Sequence, residues 1–356
     1  MKGLILSGGK GTRLRPLTYT AAKQLVPVAN KPVLFYAIED LVASGIRDIG
    51  IIVGDTAEQI RAAAGDGSRF GADVRLTYIP QDRPGGLAHA VGTARAFIGD
   101  DRFVMYLGDN FIREGIAPFV RAFEESDANA RILLYRVPNP QDFGVAVLDG
   151  DRVVRLVEKP RERISDLIIV GVYMFDRHVF EAVDSIEPSA RGELEITDAI
   201  QWLVDKGYSV RPDVLGGYWI DTGKMEDMLE ANRLVLEIMK PRIEGSVDDR
   251  SQLTGLVVVE EGAEIENSVL RGPLIIGAMT RVIDSYVGPF TAIDHHCLLE
   301  GIEIANSIVL EHSRITDIEH RIEDSLIGRY AQVQRSPAKP RAYKLLLGDH
   351  SKVVVL

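Results

Sequence analysis

The pattern of apolar and polar positions divides the chain in two. Over roughly the first 240 residues, short apolar runs alternate with stretches of helical period. Gly3-Leu4-Ile5-Leu6 predicts a buried strand, and a helical pattern runs from Pro32 to Ser44 and stops at Gly45. Asp48 to Val53, Val74 to Ile79 and Phe103 to Leu107 then read as strands. Between and after them, Ala57 to Ala64, Leu87 to Phe97 and Ile116 to Glu125 read as helices. This alternation predicts an α/β fold, Rossmann-like, with a mostly parallel mixed sheet covered by helices on both faces. From Arg131 to Phe175 the period shortens to two, with strands at Arg131 to Val137, Gly144 to Leu148, Val153 to Glu158 and Leu167 to Phe175, as in an antiparallel patch. Helices from Ile196 to Lys206 and from Met225 to Met239 follow, and Pro241 breaks the second.

From about Gly245 helical periodicity disappears and a short phrase recurs: Asn267-Ser268-Val269-Leu270, Asp284-Ser285-Tyr286-Val287, Asn306-Ser307-Ile308-Val309 and Asp324-Ser325-Leu326-Ile327. The serines are 17, 22 and 18 residues apart. A spacing near three sixes predicts a left-handed parallel β-helix, each coil having three short faces. Hexad-like pieces such as Gly277 to Val282, Gly288 to Ile293 and Gly328 to Val333 end on an aliphatic residue expected to point into the solenoid core. An irregular antiparallel sandwich is the alternative. The expected domains are 1–240 and 241–356, with Arg341 to Leu356 as a final cover.

Composition narrows the function. With 356 residues, 46% hydrophobic and 26% charged, the chain can bury a real core. A formal net charge of −11 argues against nucleic acid or an anionic membrane as partner and towards small molecules. The lone cysteine, Cys297, excludes an internal disulfide. No apolar run approaches the roughly 18 residues of a membrane span, and the first residues lack the layout of a signal peptide, so a cytoplasmic enzyme is expected.

The first strand opens on Ser7-Gly8-Gly9-Lys10-Gly11-Thr12-Arg13-Leu14-Arg15-Pro16. Gly8, Gly9 and Gly11 lack a Cβ, so the backbone can turn sharply and bring its N–H groups close to an anion. Arg13 and Arg15 add guanidinium groups that fork onto phosphate oxygens, and Lys23 adds a mobile point charge. Neither common phosphate template fits. A P-loop ending at Gly9-Lys10 needs a glycine at position 4, which is Leu4, and a dinucleotide loop from Gly9 and Gly11 needs one at 14, which is Leu14. Further along, Asp109 and Asp221 each stand at the end of an apolar run beside a glycine. A nucleotide-bound Mg²⁺ takes one or two protein carboxylates, although an aspartate at such a place is as readily a turn or capping residue. Gln81 carries an acceptor and two donors suited to the imide edge of thymine or uracil, with Gly86 offering close backbone approach; an ordinary loop is nearly as good a reading. On the residues alone Glu158-Lys159 is a solvated surface pair.

The stretch Gly-Gly-x-Gly-Thr-Arg-Leu-x-Pro-Leu-Thr, followed by Lys23 and Pro27, resembles the signature of the sugar-1-phosphate nucleotidylyltransferases. The variant Lys23-Gln24-Leu25-Val26-Pro27-Val28-Ala29-Asn30-Lys31-Pro32 is most similar to the glucose-1-phosphate thymidylyltransferases, in the long form with a carboxy-terminal extension. The resemblance implies Mg²⁺-dependent transfer from dTTP to glucose 1-phosphate, giving dTDP-glucose and pyrophosphate in a homo-oligomer. It implies nucleotide contacts at Gly8, Gly9, Gly11, Thr12, Arg13, Gln24, Gln81 and Gly86, and metal ligands at Asp109 and Asp221. Around the sugar phosphate it puts Asn110, Gly144, Glu158, Lys159, Val170, Tyr173 and Arg191, with Arg13, Lys23 and Lys159 as the catalytic cations. His295-His296 departs from the glycine-rich turn usual in the family. Alternatives are a uridylyltransferase using glucose or N-acetylglucosamine phosphate, a bifunctional enzyme with an acetyltransferase second domain, and a nucleotide-sugar sensor. Acyl transfer would want a histidine base, and His295, His296, His312 and His320 show no partner pattern in the sequence.

Overall fold

Strands β1 (Lys2–Leu6), β2 (Asp48–Val53), β3 (Arg75–Pro80) and β4 (Phe103–Leu107) pair in parallel, in the order β3-β2-β1-β4. In the computed structural model, which describes residues 1–9, 11–339 and 343–354, Ile5 stands opposite both Ile51 and Tyr106. A strand covered on both faces has no polar side to present, and Leu4, Ile5, Ile51, Ile52 and Phe103 to Tyr106 are accordingly fully buried. A short strand, β5 (Asn110–Ile112), then leaves the sheet.

The period-two region is the antiparallel part: β6 (Ala130–Arg136), β7 (Gly144–Asp149), β8 (Arg152–Glu158) and β9 (Leu167–Phe175). The last of these runs antiparallel to β4, β6 and β7, and β8 extends the sheet beyond β7. Two strands complete the set, β10 (Val210–Val214), parallel to β6, and β11 (Trp219–Asp221), which pairs with β5 in a separate antiparallel ribbon.

Helices α1 (Val33–Ala43), α2 (Ala57–Ala64), α3 (Leu87–Thr93), α4 (Arg95–Ile98), α5 (Ala117–Glu124), α6 (Val179–Ser185) and α7 (Ile196–Asp205) belong to this unit. The helix expected from Leu87 to Phe97 is interrupted at Ala94, just after Thr93 turns its hydroxyl back onto the His89 carbonyl at 2.9 Å. No described helix is long and apolar enough to cross a membrane.

The chain forms two compact units, Met1–Lys10 with Val33–Asp221 and Gly11–Pro32 with Thr222–Leu356. In the second, α8 (Met225–Leu236) holds a hairpin made by Pro27–Val28 and Lys31–Pro32. Ala29 and Asn30 have φ of 46° and 60°, the paired left-handed turn of a tight hairpin. The fully buried Asn232 of α8 accepts from Ala29 N–H at 2.9 Å and donates to the Phe290 carbonyl at 2.9 Å, while Asn30 donates to the Ile293 carbonyl at 2.7 Å.

The rest of this unit is a left-handed β-helix of three parallel sheets, two of six strands and one of four, in which each strand pairs with its counterpart in the next coil. Aliphatic residues from all three faces fill its axis, among them Ile265, Leu270, Ile276, Val282, Ile293, Leu299 and Val309. The recurring phrase marks corners: Asn267, Asp284, Asn306 and Asp324 all have positive φ, a backbone state that asparagine and aspartate tolerate. The irregular spacing of 22 has a structural reason. Asn267 and Asp284 precede strands of the four-stranded sheet, whereas Asn306 and Asp324 precede strands of a six-stranded one, so the phrase moves to another corner. Serine ladders back both columns: Ser268 Oγ accepts from Ser285 N–H and Ser307 Oγ from Ser325 N–H, each at 3.1 Å. Val282 and Ile293 point into the core as expected, but Val333 is 37% exposed, because its strand is the last of its sheet. Residues 343–354 carry no helix or strand, and the ends of the expected cover, 341–342 and 355–356, lie outside the described residues.

Candidate active site

In the first unit the carboxyl ends of β1, β2 and β4 carry the polar groups. Ser7 is fully buried, its N–H donating to the Ile52 carbonyl at 2.9 Å, and its hydroxyl has no hydrogen-bond partner among the described residues. Exposed Gly8 and Gly9 follow. A Cβ on Gly8 would sit 3.3 Å from Gln81 Oε1, so the loop passes directly beside that amide. Gln81 Nε2 donates to His89 Nδ1 at 2.9 Å, and the opposite ring nitrogen, Nε2, faces Asp82 at 3.4 Å. His89 thereby uses the amide nitrogen and leaves Oε1 as the group turned towards the glycine loop. Sequence reasoning missed His89; its one signal is a polar residue within the apolar run Leu87-Ala88-His89-Ala90-Val91. Gly86 has φ of 100° and packs so closely under the Leu194 backbone that a Cβ would overlap it.

The ribbon of β5 and β11 sets the two aspartates. Asp221 is the register partner of Asn110, and Asp109 is the residue before it. Asn110, only 2% exposed, accepts from Gly171 N–H at 3.1 Å and Trp219 Nε1 at 2.6 Å, and its amide donates to Asp109 Oδ1 at 3.2 Å. Its side chain thus ties together β4's end, β9 and β11. Gly171 is required there, since a Cβ would come within 2.6 Å of Asn110 Oδ1. Carboxylate oxygens such as those of Asp109 and Asp221, at neighbouring positions at one end of this ribbon, are donors that fit a hard divalent cation.

Around β7 and β8, Glu158 is opposite Gly144, and its carboxylate is 3.1 Å from where a Gly144 Cβ would stand. Burial, with the negative charge of Glu195 beside it, raises the Glu158 carboxyl above its ordinary range, against the pull of Lys159, Arg191 and Thr197. Arg191 is held by Glu195 at 2.8 Å and reaches Glu158 at 3.2 Å. Lys159 Nζ lies 3.9 Å from Glu158, and its backbone is left-handed, φ 42°, immediately before Pro160. That conformation is costly for a lysine and marks a constrained position. Tyr173, 4% exposed, has its hydroxyl pushed up by burial and by the Glu158 charge. Val170 is fully buried in β9. Glu158, Lys159, Gly144, Tyr173 and Arg191 therefore share one neighbourhood, in which the Glu158 side chain is partly buried while that of Lys159 stays exposed.

In the second unit Gly11 (φ 60°) starts a turn over Thr12–Leu14, pinned by Thr18 donating to the Gly11 carbonyl at 2.6 Å. A Cβ on Gly11 would press on that of Lys23 at 2.8 Å, so the glycine is what lets the two approach. Arg13 and Thr12 are exposed. The Arg13 charge acts on Asp227 of α8, whose carboxyl burial holds above its usual range against Lys224 and Arg13. Arg15 lies over the Tyr19 ring at 4.8 Å. Gln24 is 1% exposed, and its Oε1 has no hydrogen-bond partner among the described residues, a buried acceptor suited to a ligand donor.

Residues 2–238 match the family model for nucleotidyl transferases. The chain is 56% identical over 356 residues to a glucose-1-phosphate thymidylyltransferase of Streptomyces griseus, covering 100% of this chain and 99% of that protein. A second relative of the same name, from Streptomyces antibioticus, is 57% identical over 357 residues with the same coverage. Among solved structures, one from Bacillus anthracis, assigned as a glucose-1-phosphate thymidylyltransferase and complexed with a sucrose, is 38% identical. It covers 68% of this chain and 98% of its own, with a TM-score of 0.63. The chain therefore belongs to the nucleotidyl transferase family, among its glucose-1-phosphate thymidylyltransferases.

Proposed function

We propose that the protein transfers a thymidylyl group from dTTP to glucose 1-phosphate, forming dTDP-glucose and pyrophosphate with Mg²⁺ as its metal. The observation that carries this reading is the β5–β11 register, which sets Asp221 opposite Asn110, the residue that follows Asp109. A phosphate oxygen of the sugar 1-phosphate attacks the α-phosphorus in line as the bond to the bridging oxygen of the β-phosphate breaks, with no covalent enzyme intermediate. The protein's task is positioning and charge neutralisation. When bound by Asp109 and Asp221, Mg²⁺ supplies Lewis-acid withdrawal of charge from the phosphate oxygens.

The chain's own groups divide the rest. Gly8, Gly9, Gly11 and Thr12 offer backbone to the triphosphate, and Arg13 and Lys23 neutralise it as charge moves to the leaving pyrophosphate. Gln81 Oε1, set by His89, accepts the imide N–H of the base, with Gln24 and Gly86 assisting. Lys159 and Arg191 take the sugar phosphate, while Glu158, Asn110, Gly144, Val170 and Tyr173 shape the sugar pocket. Thymine and uracil share the imide edge, so Gln81 alone does not reject UTP.

The reaction is assigned to the cytoplasm, where nucleoside triphosphates are available, and to a homo-oligomer whose size light scattering would measure. Exposed apolar side chains on the second unit, such as Tyr330 and Leu346, support that assembly. Pyrophosphate release over a grid of dTTP, UTP, ATP and GTP against glucose 1-phosphate and N-acetylglucosamine 1-phosphate tests the proposal. The expected maximum is dTTP with glucose 1-phosphate, and a maximum at N-acetylglucosamine 1-phosphate with UTP would replace the reading by uridylyl transfer.

A further inference from the structure

Three histidines of the second unit meet at one corner of the β-helix. His295 Nδ1 and His296 Nδ1 are 3.0 Å apart, and one nitrogen from each of His295, His296 and His312 lies within 4.8 Å of the others. His296 and His312 are exposed, and His295, partly buried as a residue, is accessible at its ring. We propose that this cluster binds one divalent transition-metal ion of borderline softness, of the zinc and nickel class, through three imidazole nitrogens.

The corner's construction supports this. Residues Met279, His296, His312 and Tyr330 all have φ between 57° and 62° and occupy corresponding corners of successive coils. Most left-handed corners outside this column hold glycine, asparagine or aspartate, including Gly255, Asn267, Asp284 and Asn306. This column, after Gly262 in its first coil, instead carries side chains able to ligate or stack. Backbone bonds hold the donors in register: His296 N–H donates to the Ala278 carbonyl at 2.9 Å, and His312 N–H to the His295 carbonyl at 3.2 Å. The His312 ring lies flat on Tyr330, centroids 4.8 Å apart and planes within 4°, which fixes the plane of its nitrogens. His295 N–H donates to Asp294 Oδ1 at 2.7 Å, anchoring the third ligand at its backbone.

Tetrahedral zinc with Zn–N of about 2.0–2.1 Å places its nitrogens about 3.3 Å apart. The 3.0 Å separation of His295 Nδ1 and His296 Nδ1 is already close to that value, and exposure leaves the fourth position for water or an outside ligand. Imidazoles bind zinc, nickel and copper well, whereas Mg²⁺ prefers the oxygen donors of carboxylates. Neighbouring Cys297 does not join the set: its thiol donates inward to the Leu310 carbonyl at 3.2 Å, and burial pushes it up to about 12.

The test uses the untagged full-length protein, stripped with chelator and dialysed against zinc in excess Mg²⁺, with bound zinc counted by elemental analysis and affinity by calorimetry. His296→Asn and His312→Asn keep a residue that tolerates the left-handed corner, so the fold is retained. Wild type is expected to hold one zinc that Mg²⁺ does not displace. Each variant is expected to weaken binding by at least about tenfold while thymidylyl transfer and thermal unfolding stay at wild-type values. Asp109→Asn is expected to keep the same zinc. No zinc on the wild type, equal affinity in the variants, or loss of the zinc in Asp109→Asn would overturn the proposal.

Discussion

Asn110 stands opposite Asp221 across a two-stranded ribbon and donates from its amide to Asp109 Oδ1 at 3.2 Å. One buried side chain thus orients the first of two metal-ligand candidates while facing the second. Replacing it by alanine strands Gly171 N–H and Trp219 Nε1, each costing about 1–3 kcal/mol if left unpaired. Asn110→Ala is expected to lower thermal stability and to raise the Mg²⁺ concentration for half-maximal rate by about tenfold or more. An unchanged Mg²⁺ dependence would separate Asn110 from the metal.

Lys159 is held at φ 42° before a proline. Glycine at that conformation avoids a cost of about 1–2 kcal/mol, which offsets its usual entropic penalty of about 0.5–1 kcal/mol. Lys159→Gly is therefore expected to unfold no earlier than wild type in urea while its KM for glucose 1-phosphate rises by at least about tenfold. A clear loss of stability would mean the backbone there is unstrained.

Burial first, and repulsion from Glu195 next, raise the Glu158 carboxyl above its ordinary value of 4.5. A raised carboxyl binds its proton more tightly when folded, so its contribution is fully present below pH 4.5 and is lost as pH rises through the folded value. Glu158→Gln removes that loss. The difference in melting temperature, variant minus wild type, is expected to grow between pH 4 and neutrality; a difference that shrinks would contradict the sign.

The Gln81–His89 bond at 2.9 Å fixes which end of the amide is available to the base. His89→Leu frees the amide to turn and present donors as readily as acceptors. Discrimination of dTTP against dCTP, read as a ratio of kcat/KM, is expected to fall by about tenfold or more, within the 1–3 kcal/mol of one hydrogen-bonding group. An unchanged ratio would show that His89 does not set Gln81.

Much of this was legible in the chain. Asp48 to Val53, Ala57 to Ala64 and Leu167 to Phe175 have the predicted bounds, because unbroken apolar runs or strong helical period leave no competing reading. Strand β10 escaped notice since Pro212 weakens it, and it duly pairs on one side only, with β6. The strand-end aspartates were visible singly. The pairing of their segments was not, because register between β5 and β11 joins stretches about a hundred residues apart, as the Trp219–Asn110 bond shows with a separation of 109. Likewise the sequence shows Glu158-Lys159 as a solvated pair, which holds for the exposed Lys159, whereas the fold sets Glu195, Thr197 and Arg191 around Glu158. The three histidines showed no pattern in sequence, since only coil register stacks positions 296 and 312.

The rate of pyrophosphate release from dTTP and glucose 1-phosphate, compared across wild type, Asp109→Asn and Asp221→Asn over a Mg²⁺ titration, bears most directly on the ribbon as a catalytic metal site. Both variants are expected to fold normally and to lose at least about a hundredfold in rate at saturating substrate, as loss of about 3 kcal/mol of charge stabilisation implies. Near-normal turnover in both, with unshifted Mg²⁺ dependence, would contradict it.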